Sequence, residues 1–264
     1  MVKKKILIVE GNTREENSEF TAVGINTHTE SLIESINFYK KDLEINIANP
    51  SSDSNLKNSI DSLDKYDGMI WGGSSLNIYN DTEEIRRQIS FMRECQIKIK
   101  KIFAICWGLQ VAVTVAGGQV KKSDKGAHRG IAHKIKINDS GLNHKMYLNK
   151  KKIFNSPAFN FDEVVKIPKG AILLSSNDLN NVMALNFKSN KSVVWGIQYH
   201  PEIPYEKMVS LIHFRKERLL NKGAFKDQNE IDNHVSMIED EIKNTEKISR
   251  MKELENWLNY LYEN

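Results

Sequence analysis

Lys101-Ile102-Phe103-Ala104-Ile105-Cys106-Trp107-Gly108-Leu109-Gln110 is an apolar run that stops abruptly at a thiol. The run predicts a buried strand, and residues 107–116 after it predict a helix. Gly108 omits a Cβ where the chain must turn sharply and pass close to the strand it has just left. A thiol in such a turn lies over the helix N-terminus, a setting in which cysteines act as nucleophiles. Alone, Cys106 also reads as a small buried hydrophobe, the common fate of a single cysteine in an apolar segment. A second apolar run, residues 193–199, ends in His200-Pro201-Glu202. Pro201 has no amide hydrogen to give to a ladder, so His200 falls where the strand ends. Glu202 can reach back to the distal ring nitrogen and fix the tautomer. Separately, the two read as a strand-end surface histidine and an ordinary exposed carboxylate. Together with Cys106 they are the parts of a cysteine nucleophile with an oriented base.

The elements on either side set the fold class. Lys5–Val9, Glu44–Ala48 and Gly68–Trp71 read as short strands, and residues 29–40, 55–63 and 82–95 as helices between them. This alternation predicts an α/β fold, doubly wound around a mostly parallel central sheet, with function at the C-terminal ends of the strands. Glu10-Gly11, Gly72-Gly73 and Cys106 then share one rim. Residues 131–187 change to short strands with polar turns, an antiparallel excursion, before the strand to His200 rejoins the sheet. A helix over 204–220 follows. Beyond Gly223 the composition shifts: residues 227–262 contain neither proline nor glycine. They repeat apolar residues at Ile231, Val235, Ile238 and Ile242, then at Ile248, Met251, Leu254, Leu258 and Leu261. The near-heptad stripe predicts one long helix or a helical pair, packed on the main domain or offered to a dimer or partner. The expected division is an α/β domain over 1–222 and a C-terminal helical extension over 223–264.

Composition restricts the function classes. A chain of 264 residues with 40% hydrophobic content can bury one substantial core. Its two cysteines give no disulfide framework, and Cys106 can stay reduced in a cytoplasmic setting, with Cys95 a structural residue on a helix. The first apolar run ends at Val9, too short for a signal peptide, and no segment approaches membrane-spanning length. The net charge of +4 is mild, and the lysine runs at 3–5 and 150–152 read as solvated element ends. Aromatics do not alternate with a basic stripe, so neither nucleic acid nor membrane is expected as a partner.

Cys106-x-Gly108-x-Gln110 with Gln198-Tyr199-His200-Pro201-Glu202 resembles the class I glutamine amidotransferase family, which uses a Cys-His-Glu triad. Tyr66-Asp67-Gly68-Met69-Ile70-Trp71-Gly72-Gly73-Ser74-Ser75 is similar to the strand and Gly-Gly loop that carry that family's oxyanion hole. The resemblance runs from about Lys4 to about Leu220. More narrowly, Gly73-Ser74-Ser75-Leu76-Asn77-Ile78-Tyr79 and Cys106-Trp107-Gly108-Leu109-Gln110 resemble the stand-alone, GMP-synthase-like members. The resemblance implies a flavodoxin-like fold, Cys106, His200 and Glu202 as catalytic residues, and no cofactor or metal. It carries substrate recognition onto Gln110, Gly72, Asn160 and Asp162. Amide hydrolysis passes through a tetrahedral oxyanion that needs fixed N–H donors, and the Gly73 and Trp107 amides are assigned that task. Without the resemblance, Gly72-Gly73 reads as a plain turn. Where relatives have His-x-Asp-Glu-Val, this chain has Asn160-Phe161-Asp162-Glu163-Val164, a neutral amide in place of an imidazole. Asn160 therefore either alters recognition or simply shapes a turn.

The implied activity is hydrolysis of the γ-carboxamide of glutamine or a γ-glutamyl compound through a Cys106 thioester, releasing ammonia or an amine. The small-molecule substrate could be served by a stand-alone hydrolase, or ammonia could pass to a partner synthetase; a homodimer is the other partner considered. The alternative is a non-catalytic or regulatory subunit bound to a synthetase, against which the intact cysteine, histidine and glutamate argue. No Ser-Gly-Gly-x-Asp-Ser loop and no P-loop is present, so the chain does not itself activate an acceptor with ATP.

Overall fold

Period-two alternation of apolar residues builds the centre of the sheet. In strand β1 (Lys5–Val9), Ile6 and Ile8 face one side while Leu7 and Val9 face the other. The computed structural model describes residues 3–40 and 42–263. After β1 come helices α1 (Arg14–Ala22) and α2 (His28–Tyr39), strand β2 (Glu44–Ala48), α3 (Lys57–Asp61), β3 (Gly68–Trp71), α4 (Glu83–Lys98), β4 (Lys101–Ile105) and α5 (Trp107–Val115). The middle of the chain holds β5 (Gln119–Lys122), β6 (His128–Ile137), α6 (Asp139–Leu142), β7 (Ile153–Asn160), β8 (Asp162–Lys166), β9 (Ile172–Ser176), β10 (Ala184–Ser189) and β11 (Ser192–Ile197). It closes with α7 (Tyr205–Phe214), α8 (Lys216–Asn221), α9 (Gln228–Asn244), α10 (Lys247–Arg250) and α11 (Lys252–Tyr260).

Nine strands form one sheet in the order β2-β1-β3-β4-β11-β10-β9-β6-β7, and β5 pairs with β8 separately. From β2 to β11 every pairing is parallel; from β11 outward to β7 every pairing is antiparallel. This is the doubly wound α/β fold with an antiparallel excursion that the alternation of elements predicts. One face buries Ile6, Ile8, Phe103 and Ile105 under Leu32 and Ile36 of α2. The other buries Leu7, Val9, Ile102 and Ala104 under Phe91 and Met92 of α4 and Leu109 of α5. Both faces of the parallel strands are covered, which is why these strands read as continuous apolar runs.

The C-terminal stripe resolves into separate helices that bury on different parts of the molecule. Ile231, Val235 and Ile238 of α9 pack with Ile212 of α7 and Leu219 of α8. Leu254, Trp257 and Leu258 of α11, with Leu261, join the same core as β1 and β4. The Trp257 ring stacks on Phe103 at 5.9 Å between centroids and 20° between planes. Ile248, the first position in the second half of the stripe, is exposed. Among the described residues no helix is long and apolar enough to cross a membrane.

Three local expectations differ from the structure, and one helix was not expected. The helix over 55–63 shortens to α3, followed by a 3-10 turn at Leu63–Lys65. The helix over 204–220 divides at Arg215 into α7 and α8, where φ −96° and ψ +10° leave the helical range, and the Arg215 side chain turns inward to Glu16 and Ser75. Strand β11 ends at Ile197: the Gln198 amide still bonds the Met183 carbonyl opposite it, but the His200 amide turns away to the Pro157 carbonyl. Helix α1 was not anticipated: it buries only Phe20, so it has no apolar period, and it depends on Thr13 as its N-cap.

Candidate active site

Strand β4 ends at Ile105 and α5 begins at Trp107, so Cys106 alone makes the turn between them, with φ +52° and ψ −102°. This is strained for a residue with a Cβ and persists only because the surroundings impose it. The Cys106 amide donates to the Ile197 carbonyl at 2.7 Å, and the Gly108 amide to the Gly72 carbonyl at 3.2 Å. A Cβ on Gly108 would lie 2.4 Å from the Trp71 carbonyl oxygen. Glycine is therefore required by close approach, as the sequence suggests. Trp107 is buried, and its indole N–H donates to Gln88 at 2.7 Å, which ties the start of α5 to α4.

Strand β11 lies beside β4 with Ile197 opposite Ile105, so the segments following both strands emerge on one rim. There the buried His200 places Nδ1 2.7 Å from Glu202 Oε1. Burial pulls the imidazole pKa down, but the Glu202 carboxylate and Cys106 outweigh it and push it up to about 10. The ring therefore carries a proton at neutral pH. Gln198 Nε2 donates to Cys106 Sγ at 3.3 Å, and Gln110 Nε2 donates to Gln198 Oε1 at 3.4 Å. Gln110 thus reaches the sulfur through Gln198.

His28, at the start of α2, stacks on His200 with centroids 5.6 Å apart and planes 17° from parallel. Burial, then the nearby cations Lys207, His200 and Arg215, hold its pKa well below the usual histidine value. A neutral ring stacks there without repelling the charged one. Its Nδ1 has no partner among the described residues. A Cβ on Gly73 would lie 2.8 Å from His200 Cε1, so this position too demands glycine. No acceptor for the Gly73 amide is found among the described residues. The Trp107 amide, first in α5, has no carbonyl one turn back to bond. By contrast, Gly72 uses both backbone groups internally, its amide on Val9 and its carbonyl on Gly108.

Cys106, Trp107 and Gln110 line one cavity with Asn160, Asp162 and Arg215. Asn160 Oδ1 faces His128 Nδ1 at 3.0 Å, and its amide donates to the Asp162 carbonyl at 2.9 Å. Asn177 bonds the other ring nitrogen of His128 at 2.9 Å. Asp162 accepts from Asn77 at 2.8 Å and Tyr79 at 2.9 Å, and burial pushes its carboxyl pKa up. Arg215, its side chain 12% exposed, pairs with Glu16 at 2.8 Å and lies near the faces of Phe20 and Phe159. Cys95 is wholly buried in α4, and burial raises its thiol pKa well above the ordinary value.

Of the residues named from sequence, the fold brings Cys106, His200, Glu202, Gly73, Trp107 and Gln110 to one rim. Gln198, His28 and Arg215 border them and carried no reading from sequence. Gln198 stood inside a quoted motif without a role, and Arg215 marks the break between two helices read as one. Nothing local distinguishes His28 from a surface residue in the first turn of a helix.

Fold and geometry define an α/β protein with a strained cysteine turn and a His-Glu pair at the C-terminal rim of its parallel strands. A family model described as glutamine amidotransferase class-I matches residues 26–216, and the chain belongs to that family. It is 29% identical over 244 residues to the γ-glutamyl-L-1-hydroxyisopropylamide hydrolase of a Pseudomonas species, covering 90% of this chain and 81% of that protein. It is 29% identical over 162 residues to γ-glutamyl peptidase 3 of Arabidopsis thaliana, covering 60% of this chain and 62% of the peptidase. Among solved structures, a glutamine amidotransferase from Thermotoga maritima superposes over 100% of both chains with a TM-score of 0.69 at 16% identity.

Proposed function

We propose that this protein hydrolyses γ-glutamyl amides through a covalent intermediate on Cys106. The observation that carries the reading is the strained Cys106 turn set beside a buried His200-Glu202 pair joined at 2.7 Å. Cys106 Sγ adds to the γ-carbonyl carbon, and the oxyanion takes the Gly73 and Trp107 amides. The C–N bond then breaks as His200 gives its proton to the departing amine, leaving a γ-glutamyl thioester. Water adds to the thioester as His200 takes back a proton, and glutamate leaves. Glu202 orients the ring and supports its charge. Asp162 and Arg215 in the same cavity match the α-ammonium and α-carboxylate of a γ-glutamyl group. A γ-glutamyl amide with a small amine, as in the name of the Pseudomonas relative, is the substrate class supported over free glutamine as ammonia donor. A thiol nucleophile suits a reducing, cytoplasmic setting.

The test is hydrolysis of a panel of γ-glutamyl amides alongside labelling by a glutamine-derived electrophile. Cys106 is expected to be labelled and Cys95 not, and Cys106→Ala is expected to abolish turnover while leaving the fold intact. Labelling confined to Cys95, or turnover by the alanine variant, rejects the assignment.

A further inference from the structure

The turn that carries His200 and Glu202 has little regular structure of its own. Residues 198–204 belong to neither helix nor strand, and the turn is closed by the Ile203 amide on the His200 carbonyl at 3.2 Å. Glu202 uses Oε1 on His200, while its Oε2 is buried with no partner among the described residues. A second hydrogen bond on the carboxylate therefore does not fix its direction. Its direction must come from how the backbone on either side is held.

That backbone is held from the C-terminal segment, beyond the residues matched by the family. Arg250, the last residue of α10 and itself buried, sends Nη1 to the carbonyls of both Pro201 and Ile203, the latter at 2.7 Å. These two carbonyls flank Glu202. Three residues later, the fully buried Glu253 accepts from Tyr199 Oη at 2.7 Å, on the residue preceding His200. Lys150 balances that carboxylate at 2.9 Å. From the opposite side Ser35 of α2 donates to the Glu202 carbonyl at 2.9 Å. Both bonds leave one nitrogen, so Nη1 ties the two carbonyls on either side of Glu202 to a common point.

We propose that Arg250 and Glu253 are positioning residues for the His200-Glu202 pair, so that turnover depends on the C-terminal helices docking against the turn that bears the base. This rests on the reading of His200 as the proton carrier. The plain alternative is that both residues only fasten the C-terminal helices. Asn256 of α11 supplies the control: it donates to the Met146 and Leu148 carbonyls, both at 2.9 Å, with no hydrogen bond to the turn among the described residues.

The experiment uses the full chain with γ-glutamyl-p-nitroanilide as probe, each variant assayed at the same interval below its own Tm. Arg250→Met is expected to lower kcat by about 10–100-fold with KM within about threefold, and Arg250→Lys to recover part of the loss. Tyr199→Phe, which keeps its ring and removes only the hydroxyl, is expected to lower kcat by about threefold or more. Asn256→Leu is expected to lower Tm with kcat retained. If Arg250→Met does not fold, Arg250→Lys and Tyr199→Phe decide: kcat within twofold of the parent in both overturns the proposal. An equal kcat loss in Asn256→Leu overturns it too. His200→Asn, run in parallel, separates the two levels. If it abolishes turnover while the Arg250 and Tyr199 variants do not, only the positioning role falls. If it stays active, the assignment of the base falls and the positioning role with it.

Discussion

Replacing Glu202 by glutamine removes one negative charge and keeps an oxygen that can accept from His200 Nδ1, which the carboxylate meets at 2.7 Å. Orientation of the ring should largely survive, so the change isolates charge. The rise of His200 from 6.5 to about 10 corresponds to roughly 5 kcal/mol in favour of the charged ring. Glu202 is the largest of the contributions that oppose burial. His28 shows what burial does without a carboxylate: it is stacked on the same ring, and its pKa lies well below 6.5. In the parent, His200 holds its proton below about 10, so a rate that needs the imidazolium to protonate the leaving amine falls only as pH rises through that value. In Glu202→Gln the alkaline limb should move towards neutral pH, with kcat reduced about 100-fold near pH 7. The assay is the pH dependence of kcat/KM for γ-glutamyl-p-nitroanilide. An alkaline limb that shifts by less than one pH unit would refute the role given to Glu202.

Two further outcomes follow from the geometry. Asn160→His is expected to change KM or preference across γ-glutamyl compounds while Cys106 remains open to alkylation; an unchanged profile would leave Asn160 its link between His128 and the Asp162 carbonyl. Trp257→Ala removes a fully buried indole from the core under β4 and should cost about 3–5 kcal/mol, read by chemical denaturation. A loss below about 1 kcal/mol would mean that α11 contributes little to that core.

What could be read from the sequence follows the range of the interactions involved. Strand β4, the Cys106 turn and the start of α5 are consecutive, so an apolar run, a thiol and Gly108 are enough to predict them. The His200-Glu202 contact spans two residues and is equally local. That β1, β3 and β4 run parallel follows from their alternation with helices, because a crossover leaves few other solutions. Helix α1 could not be read, since one buried side chain sets no period. Nor could the break at Arg215, because the helical pattern runs through it and the partners of its guanidinium, Glu16 and Ser75, lie 199 and 140 residues away in sequence. His28 has the same character: its partner in the stack is far along the chain and nothing beside it signals burial.

The C-terminal stripe carries this distinction one step further. Its apolar spacing correctly predicts helices that need a surface to cover, yet spacing records only which side chains avoid water. Arg250 and Glu253 lie among those apolar positions as ordinary charged residues, and in a solvated helix they would be exposed. Burying a guanidinium and a carboxylate is costly unless each is fully paired. Here the partners are two carbonyls beside Glu202 for one, and Tyr199 with Lys150 for the other. A segment that only had to cover Phe103 and Trp195 could do so with apolar residues such as Trp257, without burying charge. Buried charge directed at the turn that bears His200 is therefore better accounted for by that turn's need for fixed geometry than by the stability of the helices themselves.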